Sequence, residues 1–343
     1  MRTGVECLID GLQHAGVKTI FGIPGGAVLD IFDALYRAPF HFILTRHEQG
    51  ATHMADGYAR ATGKTGCCLL TSGPGAANAV SALATAHMDA IPMVCITGQV
   101  PSSMIGNDAF QEADVTGITR PVTKHNYLVR NVDDLPRIVA EAFHIASTGK
   151  PGPVVIDLPK DIQRSKTKSV TPDKVDIRGY KPNMTGHPKQ IERLASAIAK
   201  AKRPVLYVGG GAITSGASAE LFKLAQTARI PVTTTLMGLG AFPETDELSL
   251  RMLGMHGSVP ANYAVQACDL LIAAGARFDD RVTGKLSDFA PDATVVHIDI
   301  DPTSISKNIT ADIPVVGDLK TVLCDLNKLV KPGDNAAWLK QIA

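Results

Sequence analysis

The chain has 343 residues, 45% of them hydrophobic and 20% charged, which is enough for two compact domains at about 100–200 residues each. Lys and Arg number 34 against 33 Asp and Glu, and a formal charge of +1 excludes a global field for nucleic acid or an anionic membrane. The six cysteines form no C-x-x-C pair, and Cys67, Cys68 and Cys95 sit inside apolar runs, which excludes a disulfide frame and a zinc site. They predict small buried hydrophobes in a reducing compartment. No apolar core follows Arg2, so no secretory signal is expected, and no run approaches the roughly 18 apolar residues of a membrane span. These patterns predict a soluble, cytoplasmic protein.

In chain order, Thr3 and Glu6 form a T-x-x-E capping box before a helix. Val5, Leu8, Ile9 and Leu12 share its apolar face, and Gly16 stops it. Short apolar runs then end in polar or glycine-rich turns. Residues 19–21 lead into Gly22-Ile23-Pro24-Gly25-Gly26, 42–44 into Glu48, and 67–70 into Thr71-Ser72-Gly73-Pro74-Gly75. Residues 93–96 lead into Thr97-Gly98-Gln99, and 154–156 into Asp157-Leu158-Pro159. Between the last two, Asp133 or Asp134 is expected to cap a helix that carries Pro136 in its first turn and ends at Gly149. Buried strands alternating with helices predict an α/β protein with parallel sheets.

From about 163 to 188 the pattern becomes polar and aperiodic, which predicts a linker between a first domain, 1–162, and a second, 189–332. The second repeats the alternation, with a helix carrying Ile191, Leu194, Ala195 and Ile198 and strands near 205–208, 232–235, 270–273 and 295–298. Residues 333–343 are expected to begin a further linker toward a domain beyond this sequence.

Glu48 is the most informative residue. It lies between an apolar strand and the alanine- and glycine-rich helix expected at 49–61, on the edge where open parallel sheets bind ligands. An acid at a helix start has an ordinary explanation as well, a favourable dipole contact of about 0.3–1 kcal/mol. Gly25-Gly26, Gly73-Pro74-Gly75 and Gly209-Gly210-Gly211 each follow a strand, where glycine permits sharp turns and close backbone approach. The last of these is not a G-x-G-x-x-G fingerprint, so support for a dinucleotide site of the NAD kind is weak. Gly275-Ala276-Arg277-Phe278-Asp279-Asp280-Arg281 places two guanidiniums and two carboxylates after another strand. Asp299, Asp301 and Asp318 close strands in acids that could bind ribose hydroxyls. A surface salt-bridge cluster is the competing reading. The combination favours a nucleotide-type ligand.

Together, RHEQGA, LLTSGPG, ITGQVP, DAFQE, GKPGPVVIDLPKD, LGMHG, GARFDDRVTG and HIDIDP resemble the large catalytic subunit of acetohydroxyacid (acetolactate) synthase, over residues 1–332. The resemblance implies a thiamine diphosphate enzyme with a pyrimidine-binding domain followed by a central FAD-binding domain. It implies that Glu48 is the catalytic residue that hydrogen-bonds the aminopyrimidine of the cofactor, that Gly25 lies in a loop beside the cofactor from the facing subunit, and that the active site lies between subunits. Phe110, Gln111 and Lys160 are implied on the substrate channel. Lys150, Gly209, Gly210, Thr235, Leu236, Met255, His256, Gly275, Arg277, Asp279, Arg281, Asp299 and Asp318 are implied around FAD. Lys150 stands where many members have Arg, a weaker and less bidentate contact. The implied reaction joins pyruvate to a second 2-oxoacid, pyruvate or 2-oxobutanoate, in isoleucine and valine biosynthesis. The implied partners are a second catalytic subunit, in a homodimer or tetramer, and a separate small regulatory subunit.

The family holds Mg2+ and the diphosphate on a G-D-G…N segment that this sequence lacks, so no metal ligand is expected here and the chain alone is expected to be inactive. A sister enzyme such as pyruvate oxidase would share Glu48, but is not expected to combine Phe110-Gln111, Lys160 and GARFDDRVTG. A flavin- or nucleotide-binding module without catalysis is the alternative of a different class.

Overall fold

The structure, a computed structural model, describes residues 1–342 and divides into two compact units, Met1–Lys181 and Pro182–Ala343. The strands of the first unit are β1 (Arg2–Thr3), β2 (Thr19–Gly22), β3 (His41–Leu44), β4 (Gly66–Leu70), β5 (Met93–Gln99), β6 (His125–Leu128), β7 (Pro153–Pro159) and β8 (Lys166–Thr167). Six of them form a wholly parallel sheet in the order β3-β2-β4-β5-β7-β6, while β1 and β8 pair antiparallel beside it. Every residue of β4, β5 and β7 is buried, as expected for central strands covered on both faces. The edge strands β3 and β6 are partly open. Helices Gly4–His14 and Leu135–Ser147 pack together on the core that includes Leu8, Leu12, Val139 and Ile156. Thr3 and Glu6 make the expected capping box.

The second unit contains β9 (Pro204–Val208), β10 (Val232–Thr234), β11 (Ser249–Met252), β12 (Leu270–Ala274), β13 (Thr294–Asp299) and β14 (Ile313–Val316). They form a second parallel sheet, ordered β11-β10-β9-β12-β13-β14. Counted from its own first strand this is 3-2-1-4-5-6, the doubly wound order whose direction reverses between β9 and β12. Helices Pro188–Lys200, Ser218–Ala228 and Leu319–Leu326 cover one face. Helices Val259–Ala267 and Ala336–Ile342 contribute to the core on the other.

Three expectations differ from the structure. The stretch 163–188 is not one open linker: Gln163 is fully buried, β8 pairs with β1, and the Thr167 hydroxyl donates to Asp133. Tyr180 packs against the first core and donates to the Thr148 carbonyl, whereas the Asp318 amide donates to the carbonyl of Met184 in the second unit. Polar side chains, not an apolar stripe, anchor this segment, so periodicity could not show it. Residues 336–342 form a helix whose Trp338 is buried and donates its indole N–H to the Pro204 carbonyl; Ala343, the last residue of the expected linker, lies outside the described residues. Of the cysteines, five are buried and Cys324 is exposed.

Candidate functional site

In the first sheet the chain passes from β2 to β3 on one side and returns to β4 on the other, so the order reverses at β2 and β4. Gly25 follows β2, Glu48 follows β3, and Thr71, Gly73 and Gly75 follow β4, all at the carboxyl edge of the sheet. Glu48 opens helix Glu48–Thr62, with the His47 ring nitrogen accepting the Gln49 amide as its cap. Glu48 is half-buried, and its Oε2 accepts a hydrogen bond from Asn78 Nδ2 at 2.9 Å. A Cβ placed on Gly75 would lie 3.5 Å from Glu48 Oε1, and one on Gly25 would lie 2.5 Å from the Thr71 side chain. The Thr71 hydroxyl is buried with no hydrogen-bond partner among the described residues. A carboxylate with one oxygen held and one open, a buried unpartnered hydroxyl and a floor of glycines fit a flat, nitrogen-containing ring.

Lys160 reaches the same edge from the end of β7, and its Nζ donates to the Gly26 carbonyl at 3.0 Å. Phe110 is 87% exposed in the loop after β5. Gln111 has φ +58°, and its carbonyl oxygen lies 2.4 Å from where a Gly73 Cβ would be. Gly25, Glu48, Gln111 and Lys160 thus share one edge of the first unit. Lys150 does not: it follows helix Leu135–Ser147 and precedes β7, at the opposite end of the strands. There its charge adds to burial in lowering the pKa of His87.

In the second unit the candidate residues also gather at one carboxyl edge. Gly209 and Gly210 follow β9, Thr235 and Leu236 follow β10, and Met255 and His256 follow β11. Gly275, Arg277, Asp279 and Arg281 follow β12, Asp299 ends β13, and Asp318 follows β14. At the reversal between β9 and β12, Gly211 Cα lies 2.7 Å from where a Gly275 Cβ would be, so only glycine lets these turns meet. The Met255 amide donates to the Arg281 carbonyl at 2.9 Å, joining the β11 and β12 loops. Arg277 and Asp279 contact at 3.4 Å, and Asp279 is held below its ordinary pKa, first by the Arg281 amide and then, against burial, by a hydrogen bond with Asp280 and the charges of the neighbouring arginines. Asp318 serves as N-cap, accepting from the Thr321 amide at 3.0 Å. His297 approaches Asp299 at 3.9 Å, but burial pushes its pKa down to about 4, so this contact is between a neutral ring and a carboxylate. Among the described residues no cluster of His, Cys, Asp and Glu could hold a metal ion, and no helix is long and apolar enough to cross a membrane.

Sequence reasoning missed Asn78, Thr71 and the role of Asp157. Asn78 stands alone among alanines in GAANAV, and Asp157 is the one acid inside the buried strand β7. An isolated polar residue in an apolar run was the available signal in both.

Residues 2–118 match the family described as thiamine pyrophosphate enzyme, N-terminal TPP binding domain, and residues 191–326 match the thiamine pyrophosphate enzyme central domain. The chain is 54% identical over 345 residues to a probable acetolactate synthase large subunit of Methanocaldococcus jannaschii, covering 99% of this chain and 58% of that protein. It is 56% identical to an acetolactate synthase of Mycobacterium leprae, over 96% of this chain and 53% of the relative. Identity to the Escherichia coli acetolactate synthase isozyme 3 large subunit is 53%, over 96% and 58%. The chain spans little more than half the length of these relatives. Matches on both units, with this identity along nearly all of its length, show that the chain belongs to the thiamine pyrophosphate enzymes, in the family of the acetolactate synthase large subunits.

Proposed function

We propose that this chain supplies the pyrimidine-binding and central parts of an acetolactate synthase. The reaction decarboxylates pyruvate and joins the remaining two carbons to a second 2-oxoacid, giving 2-acetolactate or, from 2-oxobutanoate, 2-aceto-2-hydroxybutyrate. Bound thiamine diphosphate supplies the electron sink that lets the 2-oxoacid lose carbon dioxide. The observation that carries this reading is the Glu48 carboxylate at the switch point, oriented through Oε2 by Asn78. Its Oε1 has no hydrogen-bond partner among the described residues and can exchange a proton with a ring nitrogen of the cofactor. Gly25 and Gly75 make room for the Thr71 side chain, whose buried and unpartnered hydroxyl offers one more polar contact at this edge. Phe110, Gln111 and Lys160 border the channel for the oxoacids.

FAD is assigned to the glycine crevice and the Arg277, Asp299 and Asp318 edge of the second unit. Mg2+ would be bound outside this chain. A second catalytic subunit and a small regulatory subunit complete the proposed assembly, which works in branched-chain amino-acid synthesis. The test is acetolactate formation by the complete gene product with thiamine diphosphate. Glu48→Gln, which keeps shape but cannot exchange the proton, is expected to lower turnover about 100-fold or more. Undiminished acetolactate formation in that variant would overturn the assignment.

A further inference from the structure

The polar interior of the first sheet has no evident role in stability. Asp157 is 1% exposed, in the centre of β7, and a carboxylate there is costly unless it is fully hydrogen-bonded. Its Oδ1 accepts from the Thr97 hydroxyl at 2.7 Å and its Oδ2 from Gln99 Nε2 at 2.9 Å, both from neighbouring β5. Gln99 is 2% exposed, and the same Nε2 donates at 3.0 Å to the Ala113 carbonyl, while its Oε1 accepts from the Val100 amide at 2.8 Å. Only one orientation of this amide works. Reversed, it would set oxygen against two acceptors and NH2 against a donor.

Beyond Ala113 the segment 105–114 is braced internally. The Glu112 carboxylate accepts from the amides of Gly106 and Ala109, the latter at 3.0 Å. Asp114 caps helix Val115–Thr119 through the Gly117 amide at 2.9 Å. The segment is therefore held in shape by its own contacts, and its attachments to the sheet set where its tip lies. We propose that Gln99, oriented by Asp157, is a positioning residue that fixes segment 105–114 through Ala113 and so places Phe110 and Gln111 beside the edge carrying Glu48. This rests on the proposed substrate role of Phe110 and Gln111. An apolar pair of similar volume would serve stability alone as well or better, whereas the polar relay specifies one loop position.

The test compares Gln99→Met, which fills the space without donating, with Thr97→Val, which removes the other donor to the same carboxylate. Both are measured in the complete gene product by amide hydrogen exchange and by pyruvate kinetics. In Gln99→Met, amides 106–112 are expected to exchange about tenfold faster while those of β5 and β7 keep their rates. KM for pyruvate is expected to rise more than kcat falls. Thr97→Val should leave the loop as in the parent. Parental loop exchange in Gln99→Met overturns the proposal, and so does equal loosening in Thr97→Val, which would mean general destabilisation. Faster exchange with an unmoved KM supports the relay but removes the substrate role from Phe110 and Gln111, so the two failures are distinguishable. If Gln99→Met does not fold, Asp157→Asn carries the same comparison.

Discussion

Asp157 also makes a prediction about pH, because its environment opposes its charge. Burial pushes its pKa up to about 7, against the hydrogen bonds from Thr97 and Gln99 that lower it, with Asp114 adding repulsion. An unfolded aspartate titrates near 3.9, so between about pH 4 and 7 the folded chain binds the extra proton. Stability from this group is therefore present at acid pH and lost as pH rises through 7. At about 1.4 kcal/mol per unit, raising pH from 5 to 8 costs on the order of 3 kcal/mol. Asp157→Asn should flatten that slope by a similar amount in urea unfolding, and an unaltered slope would show that Asp157 does not titrate in this range. His297 acts in the opposite sense. Its pKa is lowered to about 4 by burial, so its contribution is lost as pH falls from about 6.5 toward 4. The parent and the Asp157→Asn variant share that effect, and the comparison cancels it.

At the scale of elements, the turns after β2 and β4 respond to added side chains in two different ways. Gly25→Ala would press its methyl into the Thr71 side chain, 2.5 Å away, which a smaller neighbour can relieve. Gly73→Ala meets the backbone carbonyl of Gln111 at 2.4 Å and places alanine at φ +56°, which no neighbouring substitution can relieve. Each is expected to cost about 1–3 kcal/mol or more in denaturant unfolding. In a Thr71→Gly background, which also removes the Cβ that lies 2.5 Å from the new methyl, the cost of Gly25→Ala should largely disappear while that of Gly73→Ala remains. Equal rescue of both would contradict the packing described here. The turns themselves were legible in the sequence because glycine and proline punctuate buried strands, and Glu48 stood out as an acid at such a joint. Strands β4, β5 and β7 were legible for the same reason. The edge strand β6, His-Asn-Tyr-Leu, was not, because half-exposed edges carry mixed residues without a period. Asn78 stood out only as an isolated polar residue, and what it and Gln99 bond to could not be read, because their partners lie 30 and 58 residues away in the chain, a proximity that only the sheet order creates.

For the whole molecule, two successive α/β blocks were legible from the repeated alternation, but the place where one gives way to the other was not. Lys124 bonds the Tyr180 hydroxyl at 2.8 Å, and Asn183 Nδ2 donates to the Val316 carbonyl at 3.2 Å, so the change of allegiance occupies only a few residues. Both core clusters of the second unit draw only on residues from Ile191 onward, and together they cover both faces of its sheet. A chain of residues 182–342 is therefore expected to fold on its own. Trp338 makes this easy to follow, since it is the only tryptophan in the protein, 3% exposed and hydrogen-bonded to the first strand of this unit. Its fluorescence and far-UV circular dichroism should report one coincident urea transition. Trp338→Ala, which empties a buried aromatic site, should destabilise that fragment by about 3–5 kcal/mol. A fragment that shows helix and strand content but a solvent-exposed tryptophan would mean that the C-terminal helix needs more than this unit to dock, and that the unit's core does not close by itself.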